Sequence, residues 1–454
     1  MAATSVLGQS YDLLLCILDF LPFNDLLSMS LVNKHIHHTA KPHLYSAIET
    51  SWSLTSSTAT PPTVLLLRSI LERPELARYI RHLRLVGDGF EEDASIAEPP
   101  ACPLDEASFK RASKLILDTG LPYAKFWLNE LKSGTVDAMV TTLLMTTPRL
   151  ESLFLGPNFT VRSRVLGKML QSALSPTDPS ESHQLPTFQN LRRVTFRPRY
   201  NQHLQLYVNN TTEVLPFLQL PKLQDLSLSI DNPNLFAGPL RVPPSSSLTS
   251  LEVSRFRETP LVSLLAPLKN LEKLHWNWSY QPDLDEGVST NVIQLDAMTQ
   301  AFDQVADTLT DLTVEAETRP SNMAGYYHQP PPLEIQGSLD DLIHLNQLKR
   351  LSIPWVFLMG FSDSSAKCSR LPLPPSLEVL TLTDHLSDNE QWEWHPETIL
   401  STIISELHRW TRPSSSNLKR IILPLPLSHD QVSHQTSHEL QEIGESAGIE
   451  LTWT

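Results

Sequence analysis

Residues 150–158 read Leu150-Glu151-Ser152-Leu153-Phe154-Leu155-Gly156-Pro157-Asn158. Leu153 and Leu155 are two apart, so on a strand both face one side while Ser152 and Phe154 face the other. Leu150, three residues earlier, suits the corner that leads into the strand. The same apolar-x-x-apolar-x-apolar phrase returns at Ile80-Leu83-Leu85, Leu191-Val194-Phe196, Leu223-Leu226-Leu228 and Leu248-Leu251-Val253. It continues at Leu271-Leu274-Trp276, Leu309-Leu312-Val314, Leu348-Leu351-Ile353, Leu377-Leu380-Leu382 and Leu418-Ile421-Leu423, with a weaker echo at Ile449-Leu451. After one long first gap the copies recur every 23 to 41 residues.

Between the phrases the apolar residues change to a period near 3.6, as in Val136-Val140-Leu143-Leu144 and Ile399-Ile403-Leu407. One strand and one helix cannot bury their apolar faces alone, but stacked copies can. The expected fold class is therefore α/β, a solenoid with a parallel sheet inside and helices outside. The phrase resembles that of the leucine-rich-repeat family, L-x-x-L-x-L-x-x-N/C, over residues 76–454. Only the copy ending at Asn158 carries the full asparagine, and the uneven spacing implies an irregular solenoid. Loop insertions are expected near 88–107, 175–187, 316–333 and 361–376, where acidic, Ser and Pro residues replace apolar ones.

Composition agrees with this reading. Of the 454 residues 77 are leucine, while only 14 are glycine, far below the usual share of about 7%. Scarce glycine counts against folds that need glycine-rich phosphate loops, and no Walker loop, G-x-S-x-G or H-E-x-x-H motif occurs. A net charge of −15 argues against nucleic acid, which requires a basic face. Three scattered cysteines, Cys16, Cys102 and Cys368, form neither a disulfide framework nor a zinc ribbon and fit a reducing compartment. The sequons at Asn158, Asn209, Asn210 and Asn277 are then chance matches. No apolar stretch approaches a membrane span, so no membrane association is expected.

The first 50 residues form a different object. Leu14, Ile17, Leu18 and Leu21 lie on one helical stripe. Pro22 breaks that helix, Asn24 is placed to cap a second carrying Leu26, Leu27, Ser30 and Leu31, and a third is expected from Val32 to Ala40, ending before Pro42. Three short helices make a core that is marginal alone. The stretch resembles an F-box, particularly the fungal version, through Leu13, Leu14, Ile17, Leu18, Leu21, Pro22, Asp25, Leu26, Leu27, Ser30, Val32, Asn33, Lys34, Ala40, Pro42, Leu44 and Tyr45. Gln9-Ser10 stands where the family phrase opens with Leu-Pro, and Asp12 where it has Glu. The resemblance divides the chain into an F-box (1–50), a helical connection (51–75) and the repeats (76–454).

It also implies a role. F-box proteins dock on a Skp-type adaptor, which joins them to a cullin and a RING subunit, and the repeats behind the F-box hold a protein substrate for ubiquitination. This makes the expected function substrate recognition in a Skp–cullin–F-box ubiquitin ligase, in the cytoplasm or nucleus. The alternative is a non-catalytic binding scaffold outside any ligase. Leu13, Leu14, Ile17, Leu18, Leu21, Pro22, Leu26 and Leu27 are the expected adaptor surface, shared with the small core. On the open strand face the substrate candidates are Arg193, Arg197, His275, Arg350 and Trp355, since Arg and aromatic residues dominate hot spots. Trp278 and Trp394 are further possible anchors, and Arg192-Arg193-Arg197-Arg199 could accept an acidic motif. No catalytic residue, cofactor or metal is expected. His434 and His438 sit four apart, with His429 upstream, a spacing that could bind metal on a helix, but no completing ligand stands nearby.

Overall fold

The computed structural model describes residues 11–52, 60–87, 100–160, 162–174, 184–196, 211–230, 246–282, 290–320, 329–363, 373–410, 417–424, 441–446 and 448–453. It divides into two compact units, residues 1–201 and 202–454.

The first unit opens with three helices, α1 (Tyr11–Asp19), α2 (Phe23–Ser30) and α3 (Lys34–Leu44). Pro22, extended at φ −65°, precedes α2, so Asn24 lies inside the helix and does not cap it; the side chain that caps is Asn33, whose Oδ1 accepts the Ile36 N–H at 2.9 Å. Pro42 does not end α3, contrary to expectation. It removes a single donor, and the Tyr45 N–H still reaches the Lys41 carbonyl at 3.2 Å to close the last turn. Leu14, Leu18, Leu26 and Ala40 form the core of this module, with Leu21, Met29 and Leu44 packed against it.

The chain then enters β1 (Ala47–Ser51), α4 (Pro62–Glu72), β2 (His82–Val86), α5 (Glu106–Asp118), α6 (Ala124–Lys132), α7 (Val136–Thr146), β3 (Ser152–Leu155), α8 (Arg164–Leu174) and β4 (Arg193–Phe196). Strands β1 to β4 pair in chain order, all parallel. Their register aligns Leu83, Leu153 and Val194 in one row and Leu85, Leu155 and Phe196 in another, all six at most 2% exposed. The corner is made by one carbonyl per repeat. Ser46 O accepts from the amides of Arg81 and His82, Arg81 O from Glu151 and Ser152, and Glu151 O from Arg192 and Arg193, at 2.7–3.2 Å. Asn158, the phrase's asparagine, is fully buried and donates from Nδ2 to the Trp52 carbonyl at 2.7 Å. Gly87 makes room for it, since a Cβ there would lie 2.4 Å from Asn158 Nδ2.

The second unit runs through α9 (Thr211–Val214), β5 (Asp225–Ser229), β6 (Ser250–Ser254), α10 (Glu258–Leu265), β7 (Lys273–Tyr280), β8 (Val292–Gln294), α11 (Leu295–Asp303) and β9 (Asp311–Thr318). It continues with β10 (Glu334–Gln336), β11 (Arg350–Pro354), α12 (Trp355–Met359), β12 (Val379–Thr383), α13 (Pro396–Trp410), β13 (Arg420–Leu423) and β14 (Glu450–Trp453). Its main ladder follows the order β5-β6-β7-β9-β11-β12-β13-β14, all parallel, and β8 with β10 forms a separate parallel pair. One row holds Leu226, Leu251, Leu274, Leu312, Leu351, Leu380, Ile421 and Leu451. The corner carbonyl recurs at Gln224, Thr249, Glu272, Thr310, Lys349 and Glu378, each accepting two successive amides of the next repeat.

Strands β7 and β9 are eight residues long and pair along their whole length, which places Trp278 among the buried inward positions. Trp278 Nε1 donates to Glu258 Oε2 at 2.9 Å, and the Arg257 guanidinium lies 4.5 Å from the Trp278 ring while bridging both Glu258 oxygens. Arg257 also donates to the carbonyls of Thr290 and Val292, both at 2.6 Å, tying the β8 segment to the start of α10. Two of the expected insertions are shorter than their composition suggested: α5 already begins at Glu106, and β9 continues to Thr318. The remainder of the four insertions lies largely outside the described residues.

Candidate functional site

Two surfaces are available for interaction, one on the helices of the first unit and one on the strands. In the helical module an amphipathic helix normally turns its apolar stripe inward. Here α1 and α2 each carry a second apolar stripe that stays outside. Leu13 and Ile17 on α1 and Leu27 on α2 are about half exposed, Phe23 is 59% exposed, and Phe20 in the turn between them is 89% exposed. Leu31 and Val32, after α2, are exposed as well. Leu14, Leu18 and Leu26 are by contrast buried in the module's own core. Of the eight residues expected at the adaptor surface, the structure therefore separates three that face inward from Leu13, Ile17, Pro22 and Leu27, which face solvent, and Leu21, which is half-buried. Phe20, Phe23 and Leu31 are exposed apolar residues outside that expected set, and the i, i+4 series Phe23-Leu27-Leu31 is the sequence signal for part of them. Gln9 and Ser10 lie outside the described residues.

The second surface is the strand face opposite the leucine rows, and its chemistry is set by cross-strand neighbours. In the first unit the Arg84 guanidinium stacks 4.1 Å from the Phe154 ring and reaches Glu49 of β1 at 3.6 Å. Arg193 is exposed on β4. Arg197 and Arg199 lie outside the described residues.

In the second unit His275 Nε2 and Glu315 Oε1 are 3.1 Å apart, each partly exposed. The hydrogen bond to Glu315 raises the His275 pKa despite some desolvation, and Glu252, opposite on β6, adds to the effect. The same bond lowers Glu315. Arg350 is exposed and pairs with Asp311 across the ladder. Burial pushes the Asp311 carboxyl upward, but the hydrogen bonds from Arg350 and Thr310 outweigh it and hold it below its ordinary value.

Trp355 is not on this face, which corrects the expectation: it opens α12 with 2% exposure, edge-on to Trp394 with ring centroids 5.2 Å apart. Trp278 and Trp394 are likewise buried and are not open contact anchors. Pro354 turns the chain into α12 at this point, so a strand-period reading cannot follow Trp355.

Among the described residues no group of three or more His, Cys, Asp or Glu side chains is placed to hold a metal. His429, His434 and His438 lie outside them. No helix of the described residues is long and apolar enough to cross a membrane.

Two parallel ladders built on the L-x-x-L-x-L phrase, preceded by a three-helix module, define an α/β repeat protein of the solenoid class. Comparison with known families finds an F-box domain over residues 10–44 and, C-terminal to it, a leucine-rich repeat domain over residues 56–230. A search among curated proteins finds no match. The chain thus carries an F-box domain followed by a leucine-rich repeat domain, a combination associated with protein–protein interaction and, in such families, typical of non-enzymatic adaptors.

Proposed function

We propose that the chain is the substrate-recognition subunit of a Skp–cullin–F-box ubiquitin ligase. The observation that carries this reading is the F-box domain whose α1, α2 and the turn between them keep Leu13, Ile17, Phe20, Phe23 and Leu27 outside their own core. Each such side chain gains about 1.5–3 kcal/mol when fully buried, so a partner's groove has several anchors to use. Residues 1–50 serve the adaptor, 51–75 connect, and the repeats of 76–454 hold the substrate. The mixed charges of the open strand face, with Arg193 in the first unit and His275 and Arg350 in the second, suit a protein ligand better than a polyanion. The ligase's cullin and RING subunits supply the ubiquitin chemistry, and the chain contributes position only.

Co-purification of the full chain with a Skp-type adaptor tests this directly. Wild type is retained, whereas Ile17→Asp combined with Leu27→Asp loses capture while still unfolding cooperatively in chemical denaturation, because both residues are about half exposed and lie outside the module's core. Absence of capture by wild type overturns the reading and leaves the scaffold alternative.

A further inference from the structure

In the second unit a cavity of about 330 Å³ lies beside Trp355, Trp392 and Trp394, with Ile399 and Ile403 of α13 completing its apolar lining. Three tryptophans around one small cavity are unusual, and two are locked by their own N–H groups. Trp392 Nε1 donates to the Trp394 carbonyl and Trp394 Nε1 to the Gly360 carbonyl, both at 2.9 Å. The Trp355 indole N–H is buried without a hydrogen-bond partner among the described residues.

The polar lining is one-sided. Asp384, Ser387, Thr383 and His395 are its polar lining residues, and among the described residues no Lys or Arg lines the cavity. A neighbouring cavity adds Glu334, Glu390 and Glu393, again without Lys or Arg among the described residues.

We infer that this cavity binds an alkylammonium side chain, that of a lysine with or without N-methyl groups, presented by a protein partner. Tryptophan rings attract a cation through their quadrupole more strongly than any other side chain. Asp384 sets the sign: an uncharged apolar ligand would desolvate that carboxylate and return nothing to it. An ammonium carries at most three N–H donors on one compact centre, and each N-methyl group removes one, whereas a guanidinium brings five, of which one carboxylate accepts two. The inference names the chemistry of the substrate and rests on the receptor reading above for its biological role only.

The test is a tryptophan-fluorescence titration of the full chain with four blocked tripeptides, Ala-X-Ala, in which X is lysine, trimethyl-lysine, norleucine or arginine. The lysine or trimethyl-lysine peptide binds at least about tenfold more tightly than the norleucine peptide, in line with a desolvated cation–π contact. Asp384→Asn removes most of that preference, and Trp392→Phe, which keeps an aromatic ring at a half-buried position, weakens the cationic peptide severalfold in protein shown by chemical denaturation to be folded. Equal or tighter binding of norleucine makes the cavity an apolar slot and overturns the inference. Preference for arginine, or no saturable binding of any peptide, overturns it too. Adaptor capture by the same preparation reports on the F-box separately, so a failure of one reading is not mistaken for failure of the other.

Discussion

The helical module and the strand ladders are built from the same residue type and dispose of it in opposite ways. In the ladders of both units every leading phrase residue, from Ile80 to Leu418, is at most 7% exposed, and the second and third positions are buried as well. In the module, Leu14 and Leu18 are buried one position away from Leu13 and Ile17, which are not. A strand alternates faces, so a repeat that stacks on its neighbours closes its whole apolar row. Three short helices have more apolar perimeter than they can cover. Leucine in the ladder therefore measures internal stability, and leucine on α1 and α2 measures surface left for another chain.

The contrast can be broken most forcefully inside the second unit. Arg257 and Glu258, both at most 2% exposed, are bonded to each other and to surrounding backbone. Arg257→Ala leaves a buried carboxylate uncompensated and is expected to cost about 3–5 kcal/mol in chemical denaturation. Replacing both residues by apolar ones of similar size should recover much of that loss. Leu351→Ala, in the long row, is expected to cost about 2–5 kcal/mol, whereas Leu27→Ala in the module should change stability by less than about 0.5 kcal/mol and appear only in adaptor capture. A similar cost at both positions would erase the distinction.

Asn158→Ala breaks the bond to the Trp52 carbonyl and should cost about 1–3 kcal/mol, read by the same denaturation curves. The smallest effect belongs to the open face. His275 is raised and Glu315 lowered by their shared hydrogen bond. The stabilisation from His275 is present below its ordinary value and lost as pH rises through its raised one. That from Glu315 is present above its ordinary value and lost as pH falls through its lowered one. The pair thus contributes fully only between these limits and, being partly exposed, by less than about 1 kcal/mol. An NMR titration should show the His275 pKa falling toward its usual value in Glu315→Gln.

Much of the ladder was legible because a corner leucine and two inward residues leave a signature that survives any spacing. The module was legible too, yet which of its leucines face inward was not: Leu13 and Leu14 are equal in sequence and differ only in how α2 and α3 pack. Strand β1 escaped because Ala47-Ile48-Glu49-Thr50-Ser51 has a single large apolar residue, and its pairing with β2 comes from backbone bonds. The pair β8 and β10 escaped for a similar reason, since each is only three residues long and the former is held by Arg257. The Trp355 cavity gathers residues from four separate segments, and no local pattern announces such convergence.

The corner carbonyl has a consequence for the uneven repeats. Within each unit, from β1 to β4 and from β5 to β13, a ladder strand is hung on its neighbour by a single oxygen that accepts two successive amides, and nothing in that joint depends on what the chain did in between. A detour of 23 residues and one of 41 return to the same hook. Length between hooks is therefore free to drift by insertion or loss without disturbing the row of strands. The segments most open to change are those that decorate the joints, while the joints keep their place.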